Sequence, residues 1–213
     1  MKPEYVYMDF VAPAFILLPV SIGILRYKYL TAAARVLLFY LLFDCLVSVC
    51  TSILIKNHLT NAPLFHITTI IATMFLLYFF MTIFADRGFK KYIKAALFIF
   101  PVFGCINALF FQSIFTFNSY TFSLQHIIII LLCFLYWWYY ENDIAKPWSS
   151  VALTWIISGL LLYFSSAFIL FTFSNVIVTS LSKNVSIILW NIHATLTILM
   201  HILISIGFSK YKK

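Results

Sequence analysis

The chain reads as an all-α integral membrane protein, a seven-transmembrane helix bundle with its N-terminus outside and its C-terminus in the cytoplasm. Three observations lead there. Of 213 residues, 64% are hydrophobic, 20% aromatic and only 9% charged, and the mean hydropathy is +1.03, whereas a water-exposed domain carries about 25% charged residues. Seven apolar runs approach or exceed the roughly 20 residues that a helix needs to cross ~30 Å of hydrocarbon. Lysine and arginine then gather at alternate connections, as the positive-inside rule requires.

The first run, 8–25, carries Pro13 and Pro19, which bend it but leave it apolar throughout. Arg26 and Lys28 follow directly, and basic residues after an apolar core hold that end inside, so the run stays as a helix rather than leaving as a signal peptide. The second run spans 33–55 and the third 64–84; the fourth, 95–111, contains Pro101. The fifth, sixth and seventh span 123–140, 150–173 and 185–208. Connections this short make sequential helices antiparallel neighbours and leave one membrane domain over 1–213. Strands are excluded, because transmembrane barrel strands alternate polar and apolar and these runs do not.

Charge sets the orientation. One side receives Arg26, Lys28, Arg35, Arg87, Lys90, Lys91, Lys94, Lys146, Lys210, Lys212 and Lys213, and the other only Lys2, Lys56 and Lys183. The basic side is therefore cytoplasmic, with Trp137, Trp138 and Trp148 in its interfacial belt. The net charge of +8 is spread over these loops and forms no recognition face for nucleic acid. A bacterial inner membrane is the expected location, and the lipid bilayer the first partner.

Polar residues inside a bilayer are costly and face the bundle interior, so they mark where function lies. The seventh run places Ser186, Trp190, His193, Thr197, His201 and Ser205 at steps of three and four, along one face. Tyr40, Asp44, Ser48 and Thr51 repeat the pattern in the second run, His66, Thr69 and Thr73 in the third, and Ser158, Ser165 and Thr172 in the sixth. The bland reading of the hydroxyls is that they bond back to their own helices. The amides and imidazoles gather by depth: His66, Asn107, Gln125, His126, Trp190, Asn191 and His193, with Asp9, all fall near the outer ends. They predict an outward-facing pocket for a small ligand, covered by the uncharged stretch 112–122. Asp44 is the one carboxylate in the hydrocarbon region, roughly 18 Å along its helix from the inner boundary. His193 and His201 bracket that depth, and either could pair with Asp44 as a protonatable couple.

Three histidines from three helices also admit zinc, with His66, His126 and His193 as weak candidates completed by Asp9 or water. No HExxH or other local ligand spacing supports it, so no metal and no cofactor is assigned. His193 and His201 are about 12 Å apart along a helix, too far to share an ion. Cys45, Cys50, Cys105 and Cys133 are scattered apolar packers. There is no nucleophile elbow or phosphate loop, so no catalytic residue is assigned. The last span has no lysine for a retinal Schiff base, and Asp86–Arg87 reads as juxtamembrane charge.

Three stretches are familiar. Asn118-Ser119-Tyr120, Ser158-Gly159-Leu160-Leu161-Leu162-Tyr163-Phe164-Ser165 and Ile188-Leu189-Trp190-Asn191-Ile192-His193 resemble an uncharacterised family of small seven-helix membrane proteins common in Bacteroidota. The chain departs from that pattern at Ala72, where an acidic residue is frequent, and at Ala194, where an asparagine is. The resemblance implies the seven-helix fold and no established activity; its members look like companions of sensor kinases. The expected function is a ligand-sensing or signalling module acting through a cytoplasmic partner such as a histidine kinase. The alternatives are a small-solute or proton-coupled transporter using Asp44 and a histidine and, third, an intramembrane zinc hydrolase.

Overall fold

The structure is a computed structural model that describes residues 6–85, 88–141 and 147–212. Lys2, Asp86, Arg87, Lys146 and Lys213, and the side chain of Asp9, lie outside the described residues. Those described form an all-α bundle with no strand.

Six helices are long and apolar enough to cross a membrane. They are α2 (Ala32–Lys56), α3 (Ala62–Ile83), α4 (Lys90–Ile106, prolonged by a π turn over Asn107–Phe111), α5 (Ser119–Glu141), α6 (Ala152–Thr172) and α8 (Lys183–Ser209). Helix α7 (Ser174–Ser180) is a short connector. The run expected as one span over 8–25 is instead built in pieces: a π turn at Tyr7–Val11, a single turn at Ala12–Ala14, and α1 (Leu17–Leu25).

Proline is the reason. Just before Pro13, which has no N–H to offer the Asp9 carbonyl, the Ala12 N–H reaches back five residues to the Tyr7 carbonyl and closes a wide turn. Pro19 likewise cannot serve Phe15, whose carbonyl takes the Leu18 N–H at 3.1 Å instead. Pro101 leaves α4 continuous, but that helix also ends in a wide turn, with the Gln112 N–H on the Asn107 carbonyl at 2.8 Å.

The segments close into a ring in which α1 lies between α2 and α8, α2 packs on α3, α3 on α5, α5 on α6 and α6 on α8. Helix α4 packs on the outside of α3, which leaves Phe98, Ile99, Val102 and Leu109 exposed. Glycine sets the α6–α8 approach. A Cβ at Gly207 would lie 2.9 Å from the Ala152 carbonyl oxygen and 2.6 Å from Ile156 Cγ1, closer than side chains can pack and typical of small residues at membrane helix interfaces.

The interior has two halves. At one end Arg26 donates from Nη1 to the Tyr211 carbonyl at 3.0 Å, and the Thr31 hydroxyl donates to the Tyr211 phenol at 3.2 Å. Burial raises that phenol above its ordinary range, so it stays neutral as an acceptor. Toward this end the core is apolar: Leu37, Leu41, Leu76, Phe80, Ile156 and Phe208 are wholly buried. Toward the other end, which carries the 112–118 loop, the buried side chains are largely polar: Thr69, Thr73, Asn107, Asn118, Gln125 and His126.

Gly207→Val is expected to destabilise the protein by about 1–3 kcal/mol through overpacking of α6 against α8. Gly88→Ala, with nothing within 4 Å of the added carbon, is the control and should leave thermal unfolding in detergent unchanged.

Candidate ligand-binding site

Most of the seam hydroxyls bond locally, Thr51 being a buried one without a partner among the described residues. Ser48 donates to the Asp44 carbonyl, Thr73 to Thr69, Thr172 to Phe168, Thr197 to His193 and Ser205 to His201, each one turn back on its own helix. They relieve their own burial, and Thr172 also bridges helices through the Ser123 hydroxyl at 2.8 Å.

Amides build the loop end. Asn118 is wholly buried, and its Nδ2 donates to the Phe65 carbonyl at 3.2 Å and to the Thr69 hydroxyl at 3.1 Å, both on α3. Asn107 donates to Gln112 Oε1 at 3.0 Å and to the Thr121 hydroxyl at 3.1 Å. Gln112 Oε1 also receives the Tyr120 N–H, and Gln112 Nε2 donates to the Ser119 hydroxyl at 2.9 Å. Asn175, opening α7, donates to the Phe117 carbonyl at 3.2 Å. His66, 5% exposed, donates from Nε2 to the Thr116 carbonyl at 3.1 Å, which requires the proton on Nε2. The loop is thereby pinned from α3, α4, α5 and α7.

Beneath it lies an aromatic layer. Phe117, Phe122 and Phe171 stack on one another with centroids 4.8–5.6 Å apart. The Phe171 ring also meets His126 at 5.3 Å, His193 at 5.0 Å and Trp190 at 5.9 Å. His126 packs on Phe164 at 4.9 Å, and His193 on Tyr163 at 5.3 Å. Phe164 and Phe171 are seven apart on α6, and Trp190 and His193 three apart on α8, so each pair shares a helix face.

The imidazoles in this layer are incompletely bonded. His126 donates from Nδ1 to the Phe122 carbonyl at 2.7 Å, which leaves Nε2 as a bare acceptor, buried and without a partner among the described residues. His193 Nδ1 is buried and unpartnered too, as are the side-chain oxygens of Asn107, Asn118 and Asn191. The two imidazoles lie within electrostatic reach of one another.

Above the layer is a cavity of about 640 Å³, lined among others by Asn61, Phe65, Phe111, Phe117, Tyr120 and Trp190. It lies at the end where the sequence places a pocket, but of the residues expected there only Trp190 lines it. His66 is held under the loop, His126 and His193 belong to the layer below, Asn107 and Gln125 are buried, and Asn191 is half-buried on α8. Phe117, Asn118, Phe171 and Asn175 were not singled out by sequence reasoning as site residues; uncharged amides beside phenylalanines at the ends of apolar runs are the signal that could have found them.

Asp44 and His201 lie apart from the cavity. Asp44 is half-buried on α2, within electrostatic reach of Tyr40 and Tyr163, and among the described residues no ion pair joins it to His193 or His201. His201 is 2% exposed, and among the described residues neither of its ring nitrogens has a partner. Among the described residues no three of His, Cys, Asp and Glu converge as a metal-ligand group, and His66 Nε2 is engaged by the loop. Asn118, Tyr163, Trp190 and His193, from the three familiar stretches, all lie at or around this end.

Comparison of the chain with models of known protein families, with curated proteins and with solved structures finds no match.

Asn118→Ala removes both bonds to α3 and is expected to cost about 1–2 kcal/mol and to speed amide exchange over 112–118. His126→Phe trades one bond for removal of an orphaned acceptor and should stay within about 1 kcal/mol of the parent. A loss of about 3 kcal/mol or more in thermal unfolding would mean that Nε2 has a partner.

Proposed function

We propose that this chain is a ligand-sensing module of a bacterial inner membrane, with seven crossings, the loop end outside and the Arg26–Tyr211 end in the cytoplasm. The observation that carries the reading is the 640 Å³ cavity under a pinned loop, because Trp190 joins it through Phe171 to two incompletely bonded histidines in the bundle interior. Occupancy of the cavity presses on that layer, and a layer with unsatisfied polar atoms has an alternative packing within reach. The signal leaves at the basic end through a cytoplasmic protein, for which a histidine kinase is the candidate.

The topology is supported by the distribution of charge. Arg26, Lys28, Arg35, Lys90, Lys91, Lys94, Lys210 and Lys212 belong to the Arg26–Tyr211 end, whereas Lys56 and Lys183 belong to the loop end. The segment from Tyr7 to Leu25 would make the seventh crossing: it follows α8, with the Tyr7 phenol on the Thr195 hydroxyl at 2.9 Å and Arg26 on the Tyr211 carbonyl. The likeness to seven-helix companions of sensor kinases points the same way.

A carrier is the second reading, favoured by Asp44 standing half-buried beside Tyr40 and Tyr163 in the half of α2 that has no wholly buried residue.

In single-cysteine variants, Thr116→Cys should react with a membrane-impermeant maleimide added outside intact cells, and Lys28→Cys only after permeabilisation. Purification from the native host in mild detergent should retain a signalling protein in stoichiometric amount. A chain that purifies alone and supports solute uptake abolished by Asp44→Asn would replace the sensor reading with the carrier.

A further inference from the structure

We infer that the cavity at the loop end takes an uncharged ring compound, one with a flat apolar face and a hydrogen-bonding edge. The inference rests on the cavity being a ligand site, as proposed above, and adds the chemical class of what enters it.

Charge comes first. No Asp, Glu, Lys, Arg or His lines the cavity, and His66, the nearest imidazole in sequence, already donates to the Thr116 carbonyl under the loop. The site is partly open to solvent, and a carboxylate or ammonium bound there would give up part of its hydration and find no countercharge among the lining residues. An uncharged compound avoids that cost.

Shape follows from the walls. Phe65, Phe111, Phe117 and Trp190 bring four aromatic side chains from α3, the end of α4, the loop and α8 to one space. Two are fixed by neighbours: Phe117 lies 6.0 Å from Phe65 and stacks on Phe122 and Phe171, and Trp190 meets Phe171 edge to face. Phe111 is exposed, but the two fixed rings reward a flat ring over a flexible chain, since little side-chain entropy is lost on contact with them.

The hydrogen-bonding edge follows from what is left over. Most polar groups in the lining are engaged: Gln112, Ser174 and Asn175 bond to the chain itself, as do the Thr116 and Thr179 hydroxyls. Among the described residues the Asn61 amide and the Tyr120 hydroxyl have no side-chain partner. Together they offer donors and acceptors of both kinds, and a complementary edge on the ring would orient it.

The test uses three rings of one size and different charge: benzamide, benzoate and benzylammonium. Each is titrated calorimetrically into the full chain in nanodiscs, with empty nanodiscs subtracted. Benzamide should bind saturably and at least tenfold more tightly than either charged ring, and the double variant Asn61→Ala/Tyr120→Phe should weaken it at least fivefold. Equal or tighter binding of a charged ring, or an unchanged double variant, overturns the inference. A second measurement separates the cavity from its ligand class. Trp137, Trp138, Trp148 and Trp155 all lie outside the cavity lining, so replacing them with phenylalanine makes Trp190 the only reporter. Trp190 quenched by acrylamide with no ring bound refutes the ligand class and leaves the cavity standing. Trp190 shielded from acrylamide with no ring bound refutes the sensor reading as well.

Discussion

A backbone in hydrocarbon must satisfy its own polar groups, because no water is present to do so, and each orphan costs several kcal/mol. That constraint organises this molecule. Six helices carry nearly all of the apolar sequence, and Ser and Thr hydroxyls fold back onto carbonyls one turn away. Where Pro19 removes a donor, the chain tightens a turn rather than leave the Phe15 carbonyl bare. The one long connection at the loop end obeys the same rule by borrowing side chains: Asn118 and His66 tie it to α3, and Asn175 ties it to α7.

The site follows from that borrowing. Once the loop is pinned, Phe117 is pressed into the stack with Phe122 and Phe171, and space is left above it between α3, the end of α4, the loop and α8. The apolar half of the bundle, with Leu37, Leu76, Ile156 and Phe208 fully buried, gives a close-packed base. Among the described residues, buried unpartnered atoms on His126, His193, Asn107, Asn118 and Asn191 lie around the loop end, and others on His201 and Arg35 lie toward the basic end. Buried acceptors without partners cost about 1–3 kcal/mol each.

Asp44 and His201 show the limit of arguing from depth. Both lie within the membrane helices, and their levels on α2 and α8 suggest a pair. The ring order sets α1 between those two helices, and the groups within electrostatic reach of Asp44 are Tyr40 on its own helix and Tyr163 on α6. Depth along a helix follows from residue count; the direction a residue faces follows from which neighbour its helix meets.

By itself the sequence determined the helical class, the membrane-compatible runs, the gathering of polar residues at one end and the position of the covering loop. All of these are properties of composition and of spacing along one helix. Six of the seven expected runs correspond to long apolar helices, and the first, 8–25, is built in pieces around Pro13 and Pro19, which remove donors that hydropathy does not weigh. Only the tertiary structure decided which side chains line the cavity. His66, His126 and His193 lie under it, whereas Phe65, Phe111 and Phe117 face it. The physical reason is that His66 and His126 are drawn to backbone carbonyls, of Thr116 and Phe122, and His193 packs among the rings of Tyr163, Phe171 and Trp190, while a phenylalanine with no bond to make is free to form the wall.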